Sequence, residues 1–142
     1  MAGQAAKISA NLQREIERIV SMLVLDIDSE LRKATPIDTG HARDNWVPSV
    51  GAPHTGEVSG GGAHDAGVQE VLAYKLGAGK LFITNGASYI NRLNYGHSKQ
   101  APAGFVERAV GIAAQRMATK LAAEHRDVTG DVTGDAARSG GK

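Results

Sequence analysis

From Gln4 to Lys33 the chain contains no Pro or Gly, and its apolar residues recur at three- and four-residue steps: Ile8, Leu12, Ile16, Ile19, Val20, Leu23, Ile27 and Leu31. That spacing predicts one amphipathic helix. Arg32 and Lys33 stand in its last turn, where cations suit the carbonyl end of the helix dipole, and Thr35-Pro36 ends it, because the residue before proline is pushed out of the helical region. At 1.5 Å per residue such a helix is about 45 Å long. A chain of 142 residues packs into a body about 40 Å across. The apolar stripe also shifts along the helix: Ile8, Leu12, Ile19 and Leu23 share one line, Val20, Val24, Ile27 and Leu31 lie further round, and Asp26 and Glu30 take over the first angle. One end of the helix is therefore expected to pack on its own domain and the other on a second molecule.

The rest of the chain reads as one domain over residues 1–126, followed by a flexible C-terminal tail over 127–142, where Asp-Val-Thr-Gly is duplicated among small residues. Asn45-Trp46-Val47 begins a short strand ended by Pro48, and residues 51–66, rich in Gly, Ala, Ser and His, read as a mobile loop. Val68–Leu76 is expected as two helical turns. Lys80–Thr84 is the clearest strand, and Ser88–Asn94 is a short helix whose Tyr89, Ile90 and Leu93 share a face, with Gly96 as its C-cap. Pro102 suits the first turn of a second long helix reaching His125, with Phe105, Val106, Ala109, Val110, Ala113, Met117 and Leu121 as its buried stripe. The elements expected are thus a long helix at each end, two short strands between them, and a short helix before a polar loop.

Several chemistries find no support in the residues. Cysteine is absent, so there is no disulfide framework and no thiolate metal site. The five histidines, His41, His54, His64, His97 and His125, fall in different local elements, and none has the spacing of a helical zinc motif. Gly77–Lys80 resembles the end of a phosphate loop but lacks the earlier glycine and the following Ser or Thr, and it precedes a strand. His97 and Ser98 are neighbours in sequence, which does not aim one side chain at the other. No catalytic, cofactor-binding or metal-binding residues are assigned, and no cofactor is expected. The longest strongly apolar run, Ile19–Leu25, is far short of the ~20 residues of a membrane span, so no membrane partner is expected.

Charge is unevenly placed. Residues 1–70 carry six basic and ten acidic side chains, whereas residues 71–126 carry eight basic and two acidic ones. The split suits nucleic-acid contact by the second half, head-to-tail association between copies, or neutralisation within one fold.

Two segments carry a resemblance: "TPIDTGHARDNW", Thr35 to Trp46, and "KLFITNGASYINRLNYGHSKQAPAGFV", Lys80 to Val106, with a helix on each side. In that order they resemble the tail-completion, or head–tail joining, proteins in the neck of long-tailed bacteriophages. The family pattern has Glu where this chain has Asn94 and Val where it has Ile37. The resemblance implies an α+β fold, two long terminal helices packed on a small antiparallel sheet with a short helix before the docking loop. It also implies a structural virion protein, not an enzyme, that acts as a self-assembled ring, six-fold to match the tail tube. The ring would lie between the head connector or head-closure protein and the tail terminator or tail tube, with packaged DNA passing through it. It would assemble in the host cytoplasm and reside in the virion. The implied interface residues are Asp38, Thr39, Gly40, Arg43 and Trp46 in the first segment. In the second they are Asn85, Tyr89, Tyr95, Gly96, His97, Ser98, Lys99, Gln100 and Pro102. A tail terminator or minor tail protein is the nearest alternative, and a small basic DNA-binding protein is an alternative of another class.

Overall fold

The computed structural model describes the backbone of residues 2–37 and 40–139, and the side chains of 3–37 and 40–126. The fold is α+β. Helix α1 (Ala2–Ala34) leads through a one-turn helix α2 (His41–Asp44) to strand β1 (Trp46–Val50) and helix α3 (Gly62–Leu72). Strand β2 (Leu81–Asn85), a short helix α4 (Ile90–Asn94) and the long helix α5 (Phe105–Ser139) complete it. The two strands form an antiparallel ribbon with Trp46 opposite Asn85 and Val50 opposite Leu81. Among the described residues, no helix is long and apolar enough to cross a membrane.

Helix α1 ends where its sequence says it should, and its end is built into the core. The buried Thr35 hydroxyl donates to the Leu31 carbonyl at 2.6 Å and accepts the Trp46 indole N–H at 2.8 Å. Each of these buried polar groups thus has a partner. Leu31, Trp46 and Ala109 form the core cluster, with Ile27, Ala34, Ile83, Ile90 and Val106 packed around it. Helix α5 runs antiparallel to α1 and buries Phe105, Ala109, Ala113 and Met117 at four-residue steps. Arg116 ties the pair together, reaching Asp26 at 2.6 Å and Glu30 at 2.9 Å. Val110, expected in the buried stripe, is 39% exposed, because the buried contact is one narrow line at four-residue steps. From Glu17 onward α1 is largely covered by its own chain, but residues 3–16 are exposed throughout.

The structure corrects several boundaries. Pro48 does not end β1 but sits inside it, opposite Ile83. A two-stranded ribbon has only edge strands, where proline's missing N–H is tolerated. Residues 62–66, expected as loop, belong to α3. The second half of α3 falls in the segment expected as helix, which ends at Leu72 and not Leu76. Its first half was hidden because the packed face uses Gly67: a Cβ there would lie 2.1 Å from the Pro48 carbonyl oxygen, so only glycine lets α3 approach β1. Helix α5 starts at Phe105, not Pro102, and it runs to Ser139 through most of the segment expected as a flexible tail. Once a helix is nucleated, each further residue adds a hydrogen bond, and composition alone does not register this. Residues 140–142 lie outside the described residues.

Residues 51–61 carry no regular structure but are anchored. The fully buried Asn45 side chain accepts the Val58 N–H at 2.7 Å and donates to the Val58 carbonyl at 3.0 Å. Thr84 donates to the His54 carbonyl at 3.2 Å, and Ser49 to that of Ala52 at 2.7 Å. Glu17 does similar work further on: it accepts the Leu76 N–H at 2.9 Å and so fastens the chain after α3 to α1. That bond is the main reason its carboxyl sits below the usual range.

Candidate functional site

The two segments singled out in the sequence meet. A cleft of about 390 Å³ has Pro36, Gly40, His41 and Ala42 on one wall and Tyr89, Leu93 and residues 97–100 on the other. The walls are joined by the Gln100 amide oxygen, which accepts the Ile37 N–H at 2.9 Å. Across the cleft the His41 and Tyr89 rings stand tilted, 6.2 Å between centroids. His41 Nε2 lies 2.6 Å from the Glu57 carboxylate, which ties this wall to the anchored loop.

The loop from Tyr95 to Pro102 owes its shape to α4. Gly96 has φ of +97°, and the N–H groups of Gly96 and His97 bond back to the carbonyls of Leu93 and Arg92 at 3.2 and 3.3 Å. This is the glycine C-cap expected from sequence. The Ser98 hydroxyl then accepts the Gln100 N–H at 3.1 Å, which tightens the next turn. Tyr95 is 75% exposed, and His97, Lys99 and Pro102 are also exposed. Behind the loop, Asn94 starts the last helix: its side-chain oxygen accepts the Val106 N–H at 2.9 Å, and its amide donates to both Glu107 oxygens at 3.0 Å. The second contact is the largest reason the Glu107 carboxyl is held below its ordinary range. Asn94 thus serves as a helix cap in this chain.

The structure brings Gly40, Tyr89, His97, Ser98, Lys99 and Gln100 together around the cleft and leaves other expected interface residues elsewhere. Trp46 is 5% exposed and belongs to the core. Asn85 is an internal brace, donating to the Ala42 carbonyl at 2.7 Å and accepting the Ala87 N–H at 2.9 Å. Arg43 stands beside Asp44 at 3.5 Å and lines a different cavity. Tyr95, Gly96 and Pro102 belong to the loop but do not line the cleft, and Asp38 and Thr39 lie outside the described residues. Sequence reasoning missed Pro36, His41, Ala42 and Leu93 as cleft residues. The only available signal was that each sits inside a singled-out segment, on an end or face turned towards the other.

The cavity beside Arg43, about 490 Å³, also contains Asp28, Arg32 and His64. Asp28 is 3% exposed, and its Oδ2 is 2.7 Å from His64 Nε2. Its Oδ1 and the Arg43 Nε have no hydrogen-bond partner among the described residues. Burial pushes the Asp28 carboxyl up, against the pull of His64 and Arg32. No group of three or more His, Cys, Asp or Glu side chains able to hold a metal ion occurs among the described residues.

No family model, curated protein or solved structure matches this chain.

Proposed function

We propose that this protein is a structural component of a tailed-phage virion, forming a ring in the neck that completes the tail and joins it to the head. The observation that carries this reading is the meeting of the two segments that resemble the neck family, which line one cleft and are tied by the Ile37–Gln100 hydrogen bond. The cleft rim offers exposed donors and acceptors at His97 and Lys99, while the apolar faces of α4 and α5 nearby are turned to the core. Such a rim suits docking of a neighbouring subunit, the head connector or the tail terminator. The basic excess of residues 71–126 speaks less for DNA binding once Arg116 is seen on Asp26 and Glu30, and Lys75 beside Glu17 at 3.7 Å.

The test is complementation of a phage lacking the protein. Replacing His97 and Lys99 together by Ala is expected to leave the melting curve close to wild type, since exposed substitutions stay within about 0.5 kcal/mol each. The variant should nonetheless yield filled heads and separate tails. Joined, infectious particles at wild-type titre would remove the docking role from this loop.

A further inference from the structure

The cavity beside Arg43 sets three cations, Arg32, Lys33 and Arg43, against one carboxylate, Asp28, with His64 next to it. Lys33 already reaches Glu30 at 3.3 Å, but the two guanidiniums are barely used. They stand 3.7 and 3.5 Å from the same Asp44 oxygen, beyond the roughly 2.7–3.2 Å of an N–H···O bond. Each guanidinium carries several N–H donors in a rigid fork. Among the described residues Arg32 uses one of them, on the Arg43 carbonyl at a long 3.4 Å, and the buried Arg43 Nε has no acceptor. The Asp28 side chain is 5% exposed. One of its oxygens is 2.7 Å from His64 Nε2, and the other, Oδ1, is buried without a partner among the described residues. Buried polar atoms are ordinarily paired, because leaving one open is costly. Here a donor and an acceptor are both left open on residues that line one cavity.

We propose that this cavity binds inorganic phosphate in its singly protonated form, with Arg32 and Arg43 on the ionised oxygens and Asp28 Oδ1 accepting the remaining P–O–H. Guanidiniums suit the first task, since their planar fork meets oxyanions with several charge-assisted bonds. The second task explains why a carboxylate stands among cations. It repels an oxyanion that has no proton and accepts a hydrogen bond from one that keeps a proton. Sulfate at neutral pH has the same shape and charge as hydrogen phosphate but no proton, and the phosphodiester of DNA has none either. Either of these would leave the buried Asp28 oxygen unpaired, which is how a built polar site rejects a near-isostere. His64 holds the other Asp28 oxygen and so fixes the acceptor. The ligand would brace three helices, since Asp28 and Arg32 lie on α1, Arg43 on α2 and His64 on α3. The cavity shares no lining residue with the cleft between the two singled-out segments, so the inference does not depend on the neck reading.

The test is calorimetric titration of the full-length protein at pH 8 and fixed ionic strength, with sodium phosphate and sodium sulfate as the probes. Phosphate is expected to saturate one site per chain and to bind about tenfold or more tightly than sulfate. Asp28→Asn keeps an oxygen for His64 and puts an amide N–H where the open oxygen stood. It should therefore raise sulfate affinity by about tenfold and abolish the preference for phosphate. Arg43→Gln should weaken phosphate binding by about tenfold with an unchanged circular dichroism spectrum. If Arg43→Gln fails to fold, Asp28→Asn decides alone, because it is read as sulfate binding gained. Equal affinity for the two anions in the wild type, no saturable phosphate binding, or a preference that survives Asp28→Asn would each overturn the proposal. Displacement of phosphate by a short DNA duplex would also overturn it, since the site would then read a phosphodiester.

Discussion

Asp28 shows how a single residue departs from what its position along α1 implies. Helical spacing places it beside polar neighbours, yet α3 covers it, and one of its oxygens has no partner among the described residues. Burial raises its carboxyl above the unfolded value. The folded state therefore binds this proton more tightly, and the resulting stability is fully present below the unfolded carboxylate range and lost as pH rises through the folded value. Ionised Asp28 is thus a cost at neutral pH. Asp28→Asn keeps an oxygen to accept the His64 N–H and removes the charge. Urea midpoints are expected to favour the variant at pH 7, with the gap shrinking as pH falls below 4. A gap that widens towards acid would show that the His64 contact outweighs desolvation. The same residue-scale contrast separates Trp46 from Tyr95: both looked like contact aromatics, but Trp46 has an internal partner for its N–H in Thr35 and Tyr95 is 75% exposed.

At the scale of elements, α1 and the end of α4 were legible because their signals are local: periodicity, a following Thr-Pro, and a glycine at the cap. The start of α5 was not, because its cap comes from another helix. Asn94 lies on α4 and satisfies the Val106 N–H across the loop. Asn94→Ala is expected to cost about 1 kcal/mol, the usual loss for a missing N-cap, read from denaturant unfolding. Asn94→Glu, which restores the residue of the resembled family, should also destabilise, since it sets a second carboxylate against Glu107. The first half of helix α3 escaped for a related reason. Its close approach to β1 is made by a side chain that is absent, at Gly67, and no hydrophobic periodicity records an absence.

At the scale of the whole molecule, the uneven charge resolves in part into an internal clasp, with Arg116 of α5 holding Asp26 and Glu30 of α1. The clasp lies over the half of α1 that is covered and leaves residues 3–16 exposed. Hydrogen exchange should follow this division. In dilute protein, amides over 4–16 are expected to exchange faster than those over 20–31, and to slow once copies associate. Equal, slow exchange along all of α1 in a demonstrated monomer would contradict this exposure.

The sequence by itself determined the two long helices, the two strand segments and the α4 cap, because hydrophobic period and turn chemistry act over a few residues. Only the tertiary structure decided which singled-out residues face outward. It placed Gly40, Tyr89 and residues 97–100 on one cleft, and turned Trp46 and Asn85 inward. It also anchored residues 51–61 through Asn45. These outcomes depend on hydrogen bonds and close approaches between residues far apart in the chain. Such contacts leave no period in the sequence, since each is made once, by one pair of groups.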